Sequence, residues 1–205
     1  NPIERRTHTL TAVGNGVFVV HGGLTNGSLM PDRVTLKATL KPIGADGGWL
    51  CFWEPLGTGT GSRLAHNSLY DAVNDRVVIV GGVAPNGTKL SFLEFLDLSD
   101  GNWSAVDSFD LTPPNRLSPA STMQGNVVVI HGGEAPVGAG PNKSSTPMND
   151  TFLVDLATDS VVKVGGNKPP NAMQGAALIP SWAGIVELVG GIEDDQFSAR
   201  RSWQL

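Results

Sequence analysis

The feature that most constrains this chain is a glycine pair that occurs four times, each time directly after a short run of mainly β-branched residues. The runs are too short for helices and are typical of strands covered on both faces. The second glycines stand at positions 23, 82, 133 and 191, so the units are 51 to 59 residues apart. A repeat of this length, built from short strands, predicts the blades of a β-propeller. The four segments are residues 17–23, 77–82, 127–133 and 185–191.

Other residues recur in phase with the glycines. An arginine opens three of the units, and the fourth has Asn171 at the position that we align with it. The openings read Arg5-Arg6-Thr7-His8, Arg63-Leu64-Ala65-His66, Arg116-Leu117-Ser118-Pro119 and Asn171-Ala172-Met173-Gln174. Beyond the glycines, the second unit has Phe95-Leu96-Asp97 and Trp103, the third has Leu153-Val154-Asp155 and Val161, and the first keeps Trp53. This order of elements resembles the kelch repeat.

The resemblance implies an all-β, kelch-type β-propeller with about four four-stranded blades, whose strands we call a to d from the inside outwards. The expected blades are residues 5–56, 63–106, 116–164 and 171–205, and the last one is incomplete because it stops within its third strand. A propeller removes unpaired sheet edges by closing a ring, and kelch rings commonly have six or seven blades. We therefore expect a larger ring, whose remaining blades come from the same chain or from another chain.

A kelch-type ring implies either a protein-binding scaffold or an enzyme. A copper site similar to that of galactose oxidase needs a cysteine cross-linked to a tyrosine, but Tyr70 and Cys51 fall in different predicted blades. The four histidines (His8, His21, His66 and His131) occupy repeat positions, which favours structural roles over metal binding. We predict a non-catalytic scaffold without a cofactor or metal. The alternative is an enzyme acting on carbohydrate or small molecules, with its active site in other blades.

The predicted partner is another protein, bound at the face that carries the b–c and d–a loops. The arginines at the head of the innermost strands are placed to bind carboxylates there, or else to join the blades through backbone carbonyls. Long b–c loops of unequal length on a rigid scaffold are typical of recognition surfaces. The candidate partner-binding residues are Arg5, Arg63, Arg116, Glu134, Glu193, Asp194 and Asp195.

Composition excludes several other roles. The net charge of −5 gives no reason to expect nucleic acid as a partner. No apolar run approaches the ~20 residues of a membrane-spanning helix, so we expect no membrane insertion within this stretch. The single cysteine, Cys51, lies between Trp49-Leu50 and Phe52-Trp53, and this setting predicts a buried thiol.

Five Asn-x-Ser/Thr sequons are candidate glycosylation sites, and three of them fall in the predicted b–c loops. They are Asn26, Asn86, Asn102, Asn142 and Asn149. This distribution favours an extracellular or cell-surface protein. A cytoplasmic location is the alternative, because asparagine and serine are also common in loops for their turn chemistry.

Overall fold

The computed structural model describes residues 5–25, 34–44, 47–58, 63–84, 90–106, 113–135, 146–165, 175–180, 185–193, 196–197 and 202–204. Over these ranges the chain consists of strands joined by turns and contains no helix, which confirms the all-β prediction. Accordingly, no helix of this part of the chain is long and apolar enough to cross a membrane.

The strands of the first half are β1 (Arg5–Arg6), β2 (Thr9–Gly14), β3 (Val17–His21), β4 (Leu24–Thr25), β5 (Val34–Ile43), β6 (Gly48–Thr58), β7 (Asn67–Asp71), β8 (Arg76–Val80), β9 (Leu93–Asp97) and β10 (Trp103–Val106). Those of the second half are β11 (Ala120–Gln124), β12 (Val127–His131), β13 (Glu134–Ala135), β14 (Thr146–Pro147), β15 (Thr151–Asp155), β16 (Ser160–Val164), β17 (Ala177–Pro180), β18 (Val186–Val189), β19 (Ile192–Glu193), β20 (Gln196–Phe197) and β21 (Ser202–Gln204).

Four antiparallel sheets follow one another along the chain. Sheet 1 is β2-β3-β5-β6, sheet 2 is β7-β8-β9-β10, sheet 3 is β11-β12-β15-β16, and sheet 4 has three described strands, β17-β18-β21. The first strands of consecutive sheets pack against each other, β2 on β7, β7 on β11 and β11 on β17. The sheets therefore stand side by side, an arrangement consistent with a β-propeller. The ribbons β13–β14 and β19–β20 lie between the second and third strands of sheets 3 and 4. In sheet 1, β4 follows the second strand and pairs with β1, which precedes the first strand.

The β-branched runs form the core between sheets, and alternate residues face opposite neighbours. In β8, Val77 and Ile79 pack towards sheet 1, whereas Val78 and Val80 pack with β12 residues of sheet 3. In β12, Val129 packs in turn with residues of sheet 4. β8 and β12 are thus covered on both faces, which explains why their sequences are continuously apolar rather than alternating.

Backbone geometry corrects the alignment of the fourth unit. Thr7, Ala65 and Ser118 each stand two residues before an innermost strand and have left-handed φ angles of 58°, 50° and 46°. The N–H of Ser118 donates to the Ala65 carbonyl, and the N–H of Gly175 donates to the Ser118 carbonyl. Gly175, with φ of 65°, is therefore the fourth member of the series. The arginine position then falls at Met173, two residues after Asn171, although residues 171–174 lie outside the described ranges.

A long hairpin at the outside of sheet 1 overturns the prediction of a buried thiol. The register of β5 with β6 runs from Val34 opposite Thr58 to Ile43 opposite Gly48, whereas β3 pairs with β5 only as far as Thr39. Cys51 lies on β6 and is exposed. The apolar neighbours of Cys51 do not bury it, because β6 is the outermost strand of sheet 1. Trp49, on the same strand, is itself 62% exposed.

Candidate functional site

The arginines that open the units bind the carbonyl of the first glycine in their own unit. Arg63 Nη1 donates to the Gly81 carbonyl oxygen over 2.6 Å, and Arg116 Nη1 donates to that of Gly132 over 2.9 Å. Arg5 repeats the contact, because its Nη1 donates to the Gly22 carbonyl over 3.2 Å. The two repeated sequence features, the arginine and the glycine pair, are therefore a single hydrogen-bonded unit.

Two of these arginines are also ion-paired inside the fold. Arg63 pairs with Glu94, and both side chains are almost completely buried, while Arg116 pairs with Asp150 over 2.9 Å. Burial lowers the pKa of Arg63, and the neighbouring Glu94 carboxylate opposes this shift. The guanidinium groups of Arg63 and Arg116 are 0% exposed, so the geometry favours the structural role over direct contact with a partner.

The backbone at Arg63 and at Arg116 connects the sheet that follows to the preceding one. The N–H of Gly23 donates to the Arg63 carbonyl over 3.2 Å, and the N–H of Gly82 donates to the Arg116 carbonyl over 2.8 Å. A Cβ at Gly81 would lie 2.5 Å from the Arg116 carbonyl oxygen, so no side chain fits at this contact. The glycine pairs are required because neighbouring sheets approach each other there through their backbones.

The buried histidines bind threonine hydroxyl groups. His21 and His131 each place Nδ1 against a threonine at or near the start of the third strand, Thr35 at 3.0 Å and Thr151 at 2.8 Å. His66 Nε2 lies 2.9 Å from the Thr9 hydroxyl of the preceding sheet. These contacts lie between strands or between sheets.

A cluster of rings forms where sheets 1 and 2 meet. The ring centroids of His21 and His66 are 5.3 Å apart, and His21 lies 4.7 Å from Trp103. The pKa of His21 is lowered to about 3, mainly by burial and also by the positive charges of Arg63 and Arg5. The pKa of His66 is also held well below its usual value, first by burial. Within the described residues, no group of three or more His, Cys, Asp and Glu side chains is arranged to hold a metal ion.

Three further candidate residues, Arg5, Glu134 and Glu193, lie in two-stranded ribbons at the edge that carries the loops between second and third strands. Arg5 is part-buried, Glu134 is half-buried on ribbon β13–β14, and Glu193 lies on β19 opposite Gln196. Asp194 and Asp195 lie outside the described residues. Sequence reasoning missed Glu94 and Asp150, the partners of the buried arginines.

Two of the five sequons lie in the described residues, and both asparagines are exposed. Asn149 precedes β15, whereas Asn102 lies in the turn before β10 and donates its amide to Asp100 over 2.7 Å. Asn26, Asn86 and Asn142 fall outside the described residues.

Sequence comparison finds distant similarity to parts of much longer proteins. The chain is 28% identical to Dynein regulatory complex subunit 7 of Chlamydomonas reinhardtii over 135 residues, which are 64% of the chain and 11% of that protein. It is 27% identical to Host cell factor of Drosophila melanogaster, a kelch-repeat protein, over 175 residues, which are 77% of the chain and 11% of that protein. The chain thus spans about a tenth of the length of these relatives. No protein-family profile matches it.

Proposed function

We propose that this chain is part of a kelch-type β-propeller that acts as a non-catalytic scaffold for binding another protein. The observation that carries the proposal is the repeated arginine–glycine unit, which occurs in the first three units and joins sheet 1 to sheet 2 and sheet 2 to sheet 3 at the edge that bears the b–c and d–a loops. Loops held by such a rigid framework are suited to recognition. The similarity to Host cell factor supports the kelch assignment.

The proposed binding surface is centred on the ribbon β13–β14 of sheet 3. Thr146 and Pro147 are exposed on β14, Glu134 is half-buried opposite them, and Asn149 is exposed just beyond. Glu134 on this ribbon would attract basic groups of a partner, and Glu193, Asp194 and Asp195 add negative charge in the corresponding sequence segment of the fourth unit. Arg63 and Arg116 act from below this surface by holding its loops rather than by touching the partner.

Photo-crosslinking tests this proposal with controls in the same sheet. A photoreactive amino acid replaces Thr146 or Asn149 on the proposed surface, and Thr158 or Asp159 in the exposed turn at the opposite edge of sheet 3. We expect a defined partner to crosslink from the first two positions and not from the second two, and the purified partner to bind Glu134→Lys more weakly. Equal crosslinking from both edges, or binding of the purified partner that Glu134→Lys leaves unchanged, would contradict the proposal.

We also propose a secreted or cell-surface location, which the sequons support and which has its own test. Enzymatic removal of N-glycans from the native protein should lower its mass, and Asn149→Gln should remove one glycan, because Asn149 is exposed. Asn102 is the informative comparison, since its amide is engaged by Asp100. An unchanged mass after glycan removal would favour the cytoplasmic alternative.

The number of blades is a further part of the proposal. We propose that the ring is larger than four blades and is completed by the same chain or by a partner chain. The intact mass and solution size of the native protein distinguish these two cases. A larger polypeptide that runs as a monomer supports completion within one chain, and a stable complex of separate chains supports completion between chains.

A further inference from the structure

A cleft of about 450 Å³ lies between sheets 1 and 2, at the edge opposite to the b–c loops. Its apolar lining comes from Val13, Val17 and Leu56 of sheet 1 and from Leu98 just beyond β9 of sheet 2. The turn between β7 and β8, with exposed Ala72, forms part of the rim. The cleft is thus an open slot between two sheets, with apolar side chains in it.

One ion pair and one hydrogen bond lie at the rim of this cleft. Lys37 Nζ lies 2.9 Å from Glu54, and the Tyr70 hydroxyl group donates to the Asp75 carboxylate over 2.9 Å. The Lys37–Glu54 pair therefore attracts a further ion only weakly in water, while the side chains of Val13, Val17, Leu56 and Leu98 can contact an apolar group.

The cleft continues onto one face of the β5–β6 hairpin. Directly opposed residues of antiparallel strands share a face, so Lys37, Thr39 and Lys41 of β5 lie on the same face as Glu54, Phe52 and Leu50 of β6. We call these six residues the hairpin face. Phe52 and Leu50 are 50% and 48% exposed, and the slot therefore opens onto an apolar strip.

Lys41 is the distinctive charge of the hairpin face. It is exposed, its Nζ lies 5.2 Å from the centre of the Phe52 ring, and it forms no ion pair among the described residues. An ammonium group beside an exposed aromatic ring is complementary to a carboxylate that stands next to an apolar side chain.

We infer that the cleft and the hairpin face bind an extended acidic–apolar peptide segment of a partner protein. A large apolar side chain of the segment occupies the slot between Val17 and Leu98, its neighbouring apolar residue packs on Phe52, and its carboxylate pairs with Lys41. A small ligand would leave the Phe52–Leu50 strip uncovered, whereas an extended segment spans both the slot and the strip. This second site lies at the opposite edge from the surface of the proposed function and does not depend on it.

The experiment is a titration of the native protein that contains this chain with a defined peptide, followed by the methyl resonances of Val13, Val17, Leu56 and Leu98. The probe is acetyl-Glu-Leu-Phe-Glu-amide, and the charge-reversed control is acetyl-Lys-Leu-Phe-Lys-amide. We expect saturable shifts of these methyl groups with the acidic peptide, at a dissociation constant below about 1 mM. The lysine peptide should bind about two- to fivefold more weakly or not at all.

Two variants make the test specific. Lys41→Gln should weaken the acidic peptide about two- to fivefold, whereas Lys163→Gln should not, although Lys163 is also exposed and lies over a phenylalanine ring, that of Phe152. Ala72→Trp places a large side chain at the rim of the cleft and should weaken binding at least about tenfold without lowering the unfolding midpoint.

Three results would overturn the inference. The first is the absence of methyl shifts at about 5 mM acidic peptide. The second is equal binding to Lys41→Gln and Lys163→Gln. The third is a set of shifts confined to ribbon β13–β14, which would support the surface of the proposed function instead.

Discussion

The Arg63 guanidinium group donates a hydrogen bond to the Gly81 carbonyl oxygen over 2.6 Å. This bond connects the two parts of the repeated sequence motif, the opening arginine and the glycine pair. The Arg63 carbonyl oxygen in turn accepts the N–H of Gly23 from the preceding sheet. One residue therefore fixes sheet 2 internally through its side chain and joins it to sheet 1 through its backbone. Arg116 does the same for sheet 3 with Gly132 and Gly82.

Replacing Arg63 by methionine should destabilise the chain severely. The change removes the bond to Gly81 and leaves the Glu94 carboxylate, which is 2% exposed, without its cation. Breaking one side of a buried ion pair costs about 3–5 kcal/mol. Urea unfolding measures the loss.

Two variants serve as matched controls. Arg6→Met changes an exposed arginine outside the buried pair and should stay within about 0.5 kcal/mol of the unmodified chain. Arg63→Met combined with Glu94→Gln should recover part of the stability, because no unpaired charge then remains buried. A loss for Arg63→Met no larger than that for Arg6→Met would show that the buried pair contributes little.

Gly81→Ala should be costly, and Gly125→Ala should be mild. Both residues have left-handed φ angles, 68° and 56°, so both substitutions incur about 1 kcal/mol of backbone strain. Only at Gly81 does the new Cβ also meet a carbonyl oxygen, that of Arg116 at 2.5 Å, whereas nothing lies within 4 Å at Gly125. The difference in the free energy of unfolding isolates the close approach of the two sheets. Equal decreases in the free energy of unfolding for Gly81→Ala and Gly125→Ala would contradict this close approach.

The sequence alone identified the glycine pairs, the arginines and the all-β character, because these features recur in phase. It did not identify the acidic partners of the arginines, and their positions show why. Glu94 is the second residue of β9, while Asp150 precedes β15, so the two acids occupy different places in their units. A repeat pattern detects only residues that recur at the same place. A carboxylate that pairs with the arginine from a different position in each unit is identified only from the three-dimensional structure.

The hairpin of sheet 1 shows a second limit of the sequence. Its apolar residues have the composition of a core strand, but β6 pairs only with β5 among the described strands. Whether an apolar strand is buried depends on which sheet covers it, and that is a property of the assembly rather than of the strand. Cys51, predicted to be buried and found exposed, is the residue that tests this point.

Cys51 should react with a thiol-specific disulfide reagent in the folded chain. Because its side chain is exposed on β6, we expect complete modification without denaturant, at a rate within about tenfold of that of the unfolded chain. Absorbance of the released thiolate measures the rate, and Cys51→Ser gives the blank. Modification that begins only when urea unfolds the chain would contradict the exposed position.

The buried histidines should make the chain less stable as the pH falls from 6.5 towards 5. The pKa of His21 is about 3 in the fold and about 6.5 in the unfolded chain, so between these values only the unfolded state binds the proton. The free energy of unfolding then falls by about 1.4 kcal/mol per pH unit for each such histidine. His66, whose pKa is also lowered, adds to the slope. Urea unfolding at a series of pH values gives this slope.

His21→Asn separates the histidine contribution from the rest of the titration. Asparagine keeps a polar group near Thr35 but does not titrate, so between pH 6 and pH 5 the slope should decrease by about 1.4 kcal/mol per pH unit, while part of it, due to His66, remains. The carbon-bound ring-proton resonances of His21 in the unmodified chain should keep the shifts of the neutral imidazole throughout this range. A His21 ring that titrates near pH 6.5, or an unchanged slope in His21→Asn, would mean that His21 is accessible to protons in the folded chain and that the contact between sheets 1 and 2 is open there.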